Sequence, residues 1–357
     1  MFDRRTAWLP ALLVLMSIGA AAQNADDRYP FVKDGKLGFI DSKGNEVIPA
    51  QFSSAGDSSH FSDGLAPVWG PEGGGYIDVT GKFVIGPQEV WGAARPFREG
   101  VAGVLLWDKE GGRNRAAWID RSGKVLFVGE GGEGAFFSEG LMPQAKGGKW
   151  GFVDKSFEFV LRPRFDWAES FSEGRAVVKI GRKWGFIDRF GKVVIQAKYD
   201  LVWQFSDGLA RVRYDLPRGK VMTVEGEQTA YAYKYGFVSH DGREVIPPQF
   251  GEATYFSEGY ALAAPAGTDR LGVIDKSGNF VHPPVFEDGG EFREGLAAVM
   301  VGGRWGYVDT TGSWVIQPSF RHAEEFRRGL ARVSWEDGGY GYIDKSGETV
   351  WKYVPRK

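Results

Sequence analysis

KWGFIDRFGKVVIQAKYDLVWQFSDGLARV, residues 183–212, is the cleanest copy of a pattern that this 357-residue chain writes again and again. Its opening residues, Trp184-Gly185-Phe186-Ile187-Asp188, form a short aromatic and β-branched run that predicts a strand. Asp188 and Gly191 then stand at the first and fourth positions of a turn. An Asp there can bond backbone two residues on, and the Gly accepts the left-handed conformation that closes a hairpin. Val193-Val194-Ile195 predicts a second strand. After a connector, Phe205-Ser206-Asp207-Gly208 introduces a third, Leu209-Ala210-Arg211-Val212, whose apolar and polar alternation suits a half-buried position.

The anchor strand recurs from residues 37–41 to residues 340–344, giving about nine copies at a period of about 34 to 37 residues with two longer intervals. The turn glycine recurs from Gly44 to Gly347, with Phe157 standing in its place once. The Phe-x-x-Gly signature recurs from Phe61 to Gly329, and Tyr29 to Val32 stand where the first copy lacks it. Whole units therefore fill the chain, and residues 23–357 are expected to form a single domain without a linker.

Spacing separates joints from free surface. From the Val/Ile strand to the next Phe-x-x-Gly the length hardly changes, as between Ile195 and Gly208 or Ile316 and Gly329, which marks a packed joint. From the third strand to the next anchor it varies widely. Val177 leads almost directly to Trp184, Val104 reaches Trp118 through a longer stretch, and Val212 reaches Tyr235 only through residues 213–234. Insertions in repeat arrays collect on one face, often the binding face, so the hairpin tips are the candidate functional surface.

Arg4 and Arg5, an apolar run over residues 7–18 and Ala20-Ala21-Ala22 have the three-part form of a secretory signal peptide. We expect residues 1–22 to be removed and the mature chain to be periplasmic or secreted, with no transmembrane span after cleavage. The absence of cysteine excludes thiol catalysis, thiolate metal sites and disulfides, so a large core must supply the stability. A formal charge of −2 argues against a nucleic-acid partner, which needs a basic face.

The tetrapeptides Lys149-Trp150-Gly151-Phe152, Lys183-Trp184-Gly185-Phe186 and Arg304-Trp305-Gly306-Tyr307 resemble the bacterial WG-repeat family, and the likeness covers essentially the whole mature chain. Leu37, Leu271, Tyr235 and Tyr340 replace the Trp in some copies, and Ala117-Trp118 replaces Trp-Gly in another. The resemblance implies an exported or envelope-associated all-β array acting as an interaction module, with no catalytic residues to carry over.

Each chemical motif has a plainer structural reading. Trp150, Trp184 and Trp305 repeat in phase beside Phe and Ile, as interior fillers would, rather than as a row of sugar-stacking platforms. The anchor acids, such as Asp78, Asp188 and Asp309, each suit their own turn, whereas a calcium site needs several oxygens converging on one point. Acids of the Phe-x-x-Gly signature belong to the repeat, and a glycosidase pair would not be copied into every unit. Gly129-x-Gly131-x-x-Gly134 opens no helix of a βαβ unit, so no dinucleotide cofactor is expected. His60, His240, His282 and His322 occupy different phases and show no metal-ligand spacing, and no nucleophile elbow is present.

What remains are residues outside the template beside the variable hairpins. Trp69, Trp107, Tyr214, Tyr231 and Trp335 could offer rigid apolar faces with a polar edge, and Arg113, Arg115, Arg218 and Lys220 could add contacts to an acidic partner. The sequence thus predicts tandem three-stranded antiparallel units stacked as an open superhelical or solenoid-like array, with a closed propeller-like toroid as the alternative. It predicts a non-catalytic exported module without cofactor or metal that binds a protein partner, with a glycan or cell-wall polymer as the second reading and a hydrolase as the least favoured.

Overall fold

The computed structural model describes residues 27–53, 59–88, 91–108, 113–129, 135–223 and 226–355, with backbone alone at 91–92, 108, 113–114, 218–223 and 226–231. Every element among them is a β-strand, and all pairing is antiparallel. The repeat is clearest in the unit built from Trp167–Ala168, Ala176–Ile180, Lys183–Ile187 and Val193–Tyr199, which pair in that order across one sheet. We term these the edge, lead, anchor and outer strands. Counting lead strands from Tyr29–Lys33 to Leu330–Ser334 gives nine units, of which this is the fifth. In units 1, 2 and 4 the sheet has three strands, the edge strand being absent.

Local chemistry fixes each unit. Asp188 Oδ1 accepts the N–H groups of Phe190 and Lys192 at 3.0 and 2.9 Å, and Gly191 follows at φ 81°, as the Asp-to-Gly spacing predicts. Gly185 explains the Trp-Gly pair. The outer strand is bulged beside it, and a Cβ on Gly185 would lie 2.4 Å from the Ile195 carbonyl oxygen. Unit 3 shows the converse. The alignment of Ala117-Trp118 with Trp-Gly is corrected by one residue: Ala117 stands at the glycine position and Trp118 at that of Phe186, and there the outer strand meets Ala117 in direct register, opposite Val128.

Phe186, two residues beyond the Trp, is the side chain that fills the interior at 0% exposure. Trp150, Trp184 and Trp305 are only half-buried and pack against the core from its margin, Trp150 lying 4.6 Å from the Trp167 ring. The expectation that these tryptophans are the interior fillers is therefore corrected. The first anchor residue sits near the hairpin tip, where the sheet leaves its neighbour.

Nine apolar clusters each span one joint between consecutive units. The last joins unit 9 to unit 1 through Tyr29, Phe31, Ile40, Leu330 and Tyr342. Phe31 packs 4.8 Å from Trp351, and the Tyr342 hydroxyl donates to the Pro30 carbonyl at 2.8 Å. The all-β array of repeated units is as expected, and its two ends meet. Of the two arrangements that the sequence leaves open, contacting ends are those of the closed toroid.

Candidate functional site

Adjacent units are clasped where each lead strand begins. Glu173, held at φ 52° ahead of the unit 5 lead strand, accepts the N–H of Gly208 ahead of the unit 6 lead strand at 3.0 Å. Beside it, Ser172 Oγ donates to the Phe205 carbonyl at 2.8 Å. A charge-assisted bond of this kind repays the left-handed backbone at the acid. Because the clasps place all lead-strand starts on one face of the ring, every lead-to-anchor hairpin turns on the opposite face.

One hairpin dominates that tip face. The unit 6 strands Leu209–Thr223 and Gly226–Ser239 stay paired from Leu209 opposite Ser239 to Thr223 opposite Gly226. The corresponding strands of unit 5 have five residues each. Some ten further residues at about 3.3 Å each carry this arm roughly 30 Å beyond its neighbours.

The residues singled out from the sequence fare differently on this face. Trp107 is exposed (47%), and Arg115 is exposed as well. Trp69 packs against the core between units 2 and 3. Trp335 packs between units 8 and 9, edge-on to Phe320 at 5.9 Å with the Lys352 ammonium 4.5 Å over its ring. Tyr214 donates its hydroxyl to Glu244 at 2.7 Å and meets Tyr199 edge-on at 5.3 Å; burial and the Glu244 carboxylate push its phenol well up. The backbone of Tyr231, Arg113, Arg218 and Lys220 lies on the expected hairpins, and their side chains fall outside the described residues.

Two exposed residues on the arm were missed, Leu216 (43%) and Tyr233 (48%). Tyr233 was legible. Tyr231, Tyr233 and Tyr235 alternate along one strand and so share one face. The Tyr233 ring is edge-on to Tyr235 at 5.7 Å and lies under the Arg213 guanidinium at 5.2 Å, while Arg213 also pairs with Asp215 at 2.8 Å. These contacts stiffen the root of the arm.

A second set of non-template residues lines the edge-strand side of the sheets. Arg211 of unit 6 lies 4.0 Å from the Trp203 ring, 5.1 Å from Tyr255 and 5.3 Å from Tyr235, and it donates to the Ala253 carbonyl. Burial lowers its pKa, with Tyr255 and Glu291 among the groups opposing that effect. Burial also raises the carboxyls of Glu169 and Glu291 above the ordinary range, and both charges bear on the Tyr255 phenol. These groups belong to units 5, 6, 7 and 8, so four units contribute charge to one neighbourhood. Sequence reasoning passed over these positions because Glu169, Trp203, Tyr255 and Glu291 stand one or two residues before the signature Phe yet vary freely, and Arg211 reads as an ordinary lead-strand residue. Among the described residues no three His, Asp or Glu side chains converge as a metal would require.

Joints, bulged Trp-Gly strands and short edge strands together define a β-repeat protein closed on itself. The chain belongs to the family described as WG containing repeat, matching over residues 38–68, 75–109, 150–184, 184–215, 235–263, 272–305 and 305–338. No curated protein matches the sequence. Among solved structures, a eukaryotic initiation factor superposes with a TM-score of 0.63 over 91% of this chain and 95% of its own at 11% identity, a likeness of fold alone. BamB from Moraxella catarrhalis (TM-score 0.39, 10% identity, 83% of this chain and 87% of its own) and the WD40 beta propeller domain of Doa1 (0.32, 13%, 67% and 87%) superpose too loosely to bear on the architecture. No helix among the described residues is long and apolar enough to cross a membrane.

Proposed function

We propose that this protein is an exported, non-catalytic interaction module that engages a protein partner through the tip face of its ring, chiefly through the unit 6 arm. The observation that carries this reading is the arm itself. Leu216 and Tyr233 stand exposed on paired strands that outreach every neighbouring hairpin. An aromatic and an aliphatic side chain on a braced hairpin suit the anchor of an interface, because little conformational freedom is lost when they are covered. A polysaccharide reading is supported by Trp107 alone, since Trp69 and Trp335 pack at the joints between units.

The test uses the mature chain on a column loaded with envelope extract, beside a variant whose residues 213–234 are cut to a short turn and a Leu216→Ser/Tyr233→Ser variant of the full arm. Circular dichroism checks that all three fold alike. A partner held by the parent and lost by both variants supports the reading. Equal retention by all three removes the arm from it.

A further inference from the structure

One joint of the ring has its charge inverted. At seven joints an acid accepts the N–H of the next unit's glycine, from Asp63 with Gly100 to Glu294 with Gly329. Where unit 9 meets unit 1, the acid position holds Arg328 at φ 54°, preceded by Arg327 where most units carry serine. Arg328 meets the Asp27 carboxylate at 3.6 Å, and its carbonyl accepts the Tyr29 hydroxyl at 2.5 Å. Arg28 follows, donating to the carbonyls of Asp27 at 3.0 Å and Val79 at 3.4 Å. These carbonyls take two of its five N–H donors and do not neutralise its charge. Asp41, the carboxylate that feels Arg28, is already bonded within its own turn. The Arg327 side chain has no hydrogen bond or ion pair among the described residues.

These arginines line a cavity of about 710 Å³. Of its two carboxylates, Glu324 pairs with Arg332 at 2.6 Å, and Glu325 lies 3.5 Å from Arg293, which it shares with Glu291 at 2.6 Å. Trp305 and His322 also line it, their rings 5.9 Å apart and edge to face. The volume falls in the range of small-molecule sites, and guanidinium forks match the geometry of carboxylate and phosphate oxygens.

We infer that the seam cavity binds a small oxyanion, with Arg28 and Arg327 holding its carboxylate or phosphate at the end where the lead strands begin. The inference is independent of the arm. Glucuronate and glucose 6-phosphate are the probes, with glucose as the uncharged control, each titrated into the full mature chain by calorimetry at low and high salt. Arg28→Gln and Arg327→Gln, singly and together, remove the proposed contacts and leave Tyr29 and Arg328 to close the joint. Binding of one or both oxyanions, weakened by salt and at least about tenfold weaker in the double variant, supports the site, and the stronger probe identifies its chemistry. Should the double variant misfold, the single variants carry the comparison. Absence of binding by both oxyanions, equal binding of glucose, or unchanged affinity in the variants overturns the inference.

Discussion

Replacing Gln144 by Met should make the protein markedly more stable. Gln144 lies on the unit 4 lead strand Met142–Lys146, at the position held by Val178 in unit 5 and Val212 in unit 6. It is fully buried, and neither Oε1 nor Nε2 has a hydrogen-bond partner among the described residues. An unsatisfied buried polar group costs about 1–3 kcal/mol, so the two amide atoms together cost roughly 2–6 kcal/mol. Methionine has a similar length and volume and leaves no large cavity, and its thioether would lie near the Trp118 ring that flanks the same spot beside Gly129.

Allowing about 1.5 kcal/mol for imperfect repacking leaves a gain of roughly 1–4 kcal/mol. At about 2.1 cal/mol/K per residue, the unfolding entropy of a domain this long is near 0.7 kcal/mol/K, so the gain corresponds to a Tm rise of about 1–6 °C. Scanning calorimetry reads that rise, and urea unfolding should show a higher midpoint with an unchanged slope. Gln144→Ala, which removes the same polar atoms and leaves a void, should gain less than Met. A Met variant with an unchanged or lower Tm would refute the reasoning, because the amide would then have to be satisfied in solution.

Other perturbations probe the joints and the raised carboxyls. Glu294 accepts the Gly329 N–H at 3.0 Å and pairs with Lys345 at 3.0 Å, so Glu294→Ala should lower stability by about 1–2 kcal/mol in urea unfolding, half-exposure limiting the ion-pair share; no loss would mean the clasp adds nothing over water. Phe157 occupies a left-handed φ of 62° yet stacks on Phe127 at 5.1 Å; Phe157→Gly should relieve about 1 kcal/mol of strain, lose more in packing and leave a net loss of about 1 kcal/mol, whereas a stabilised variant would show the stack to be idle. The raised carboxyls of Glu169 and Glu291 favour the folded state below the ordinary glutamate pKa and lose that contribution as pH rises through their folded values. Glu169→Gln/Glu291→Gln should therefore raise Tm at pH ~8 more than at pH ~4, and a pH-independent difference would contradict their burial. The turn acids Asp78, Asp120 and Asp309, whose pKa values are lowered chiefly by their own Thr and Ser hydroxyls, act with the opposite sign and lose their contribution in acid.

The unit was legible because its rules are local. A residue run sets each strand, Asp-x-x-Gly sets a turn, and a constant spacing from Ile195 to Gly208 marks the joint. The sequence also gave the arm as an insertion, though a variable interval cannot tell a paired hairpin from a loop. What stayed hidden depends on neighbours in space. Glu173 reads as one acid in a repeated motif until Gly208 of the next unit is placed against it. Arg211, Glu169 and Glu291 bear on one another only once four units are placed side by side. Trp184 and Phe186 lie two residues apart with similar hydrophobicity, and only the approach of unit 6 decides that Phe186 is buried while Trp184 stays at the margin.

Closure of the array was hidden for the same reason, and the seam shows how it is specified. If all nine joints were alike, an acid end on one unit would fit the glycine of any other, and nothing in the clasp would choose where the ring closes. Unit 9 presents Arg328 instead, a donor that would meet the N–H of an ordinary unit's glycine as another donor. Unit 1 presents Asp27 and Tyr29, an acceptor for the guanidinium and a hydroxyl for the Arg328 carbonyl. Tyr340 and Tyr342 then bond the Val32 and Pro30 backbone of unit 1, on the side of a lead strand that has no edge strand of its own. Each end is thereby fitted to the other and poorly fitted to the interior units. That same inversion leaves the charges of Arg28 and Arg327 without carboxylate partners beside the seam cavity, so the device that selects the closing joint also supplies the positive charge from which the proposed anion site is built.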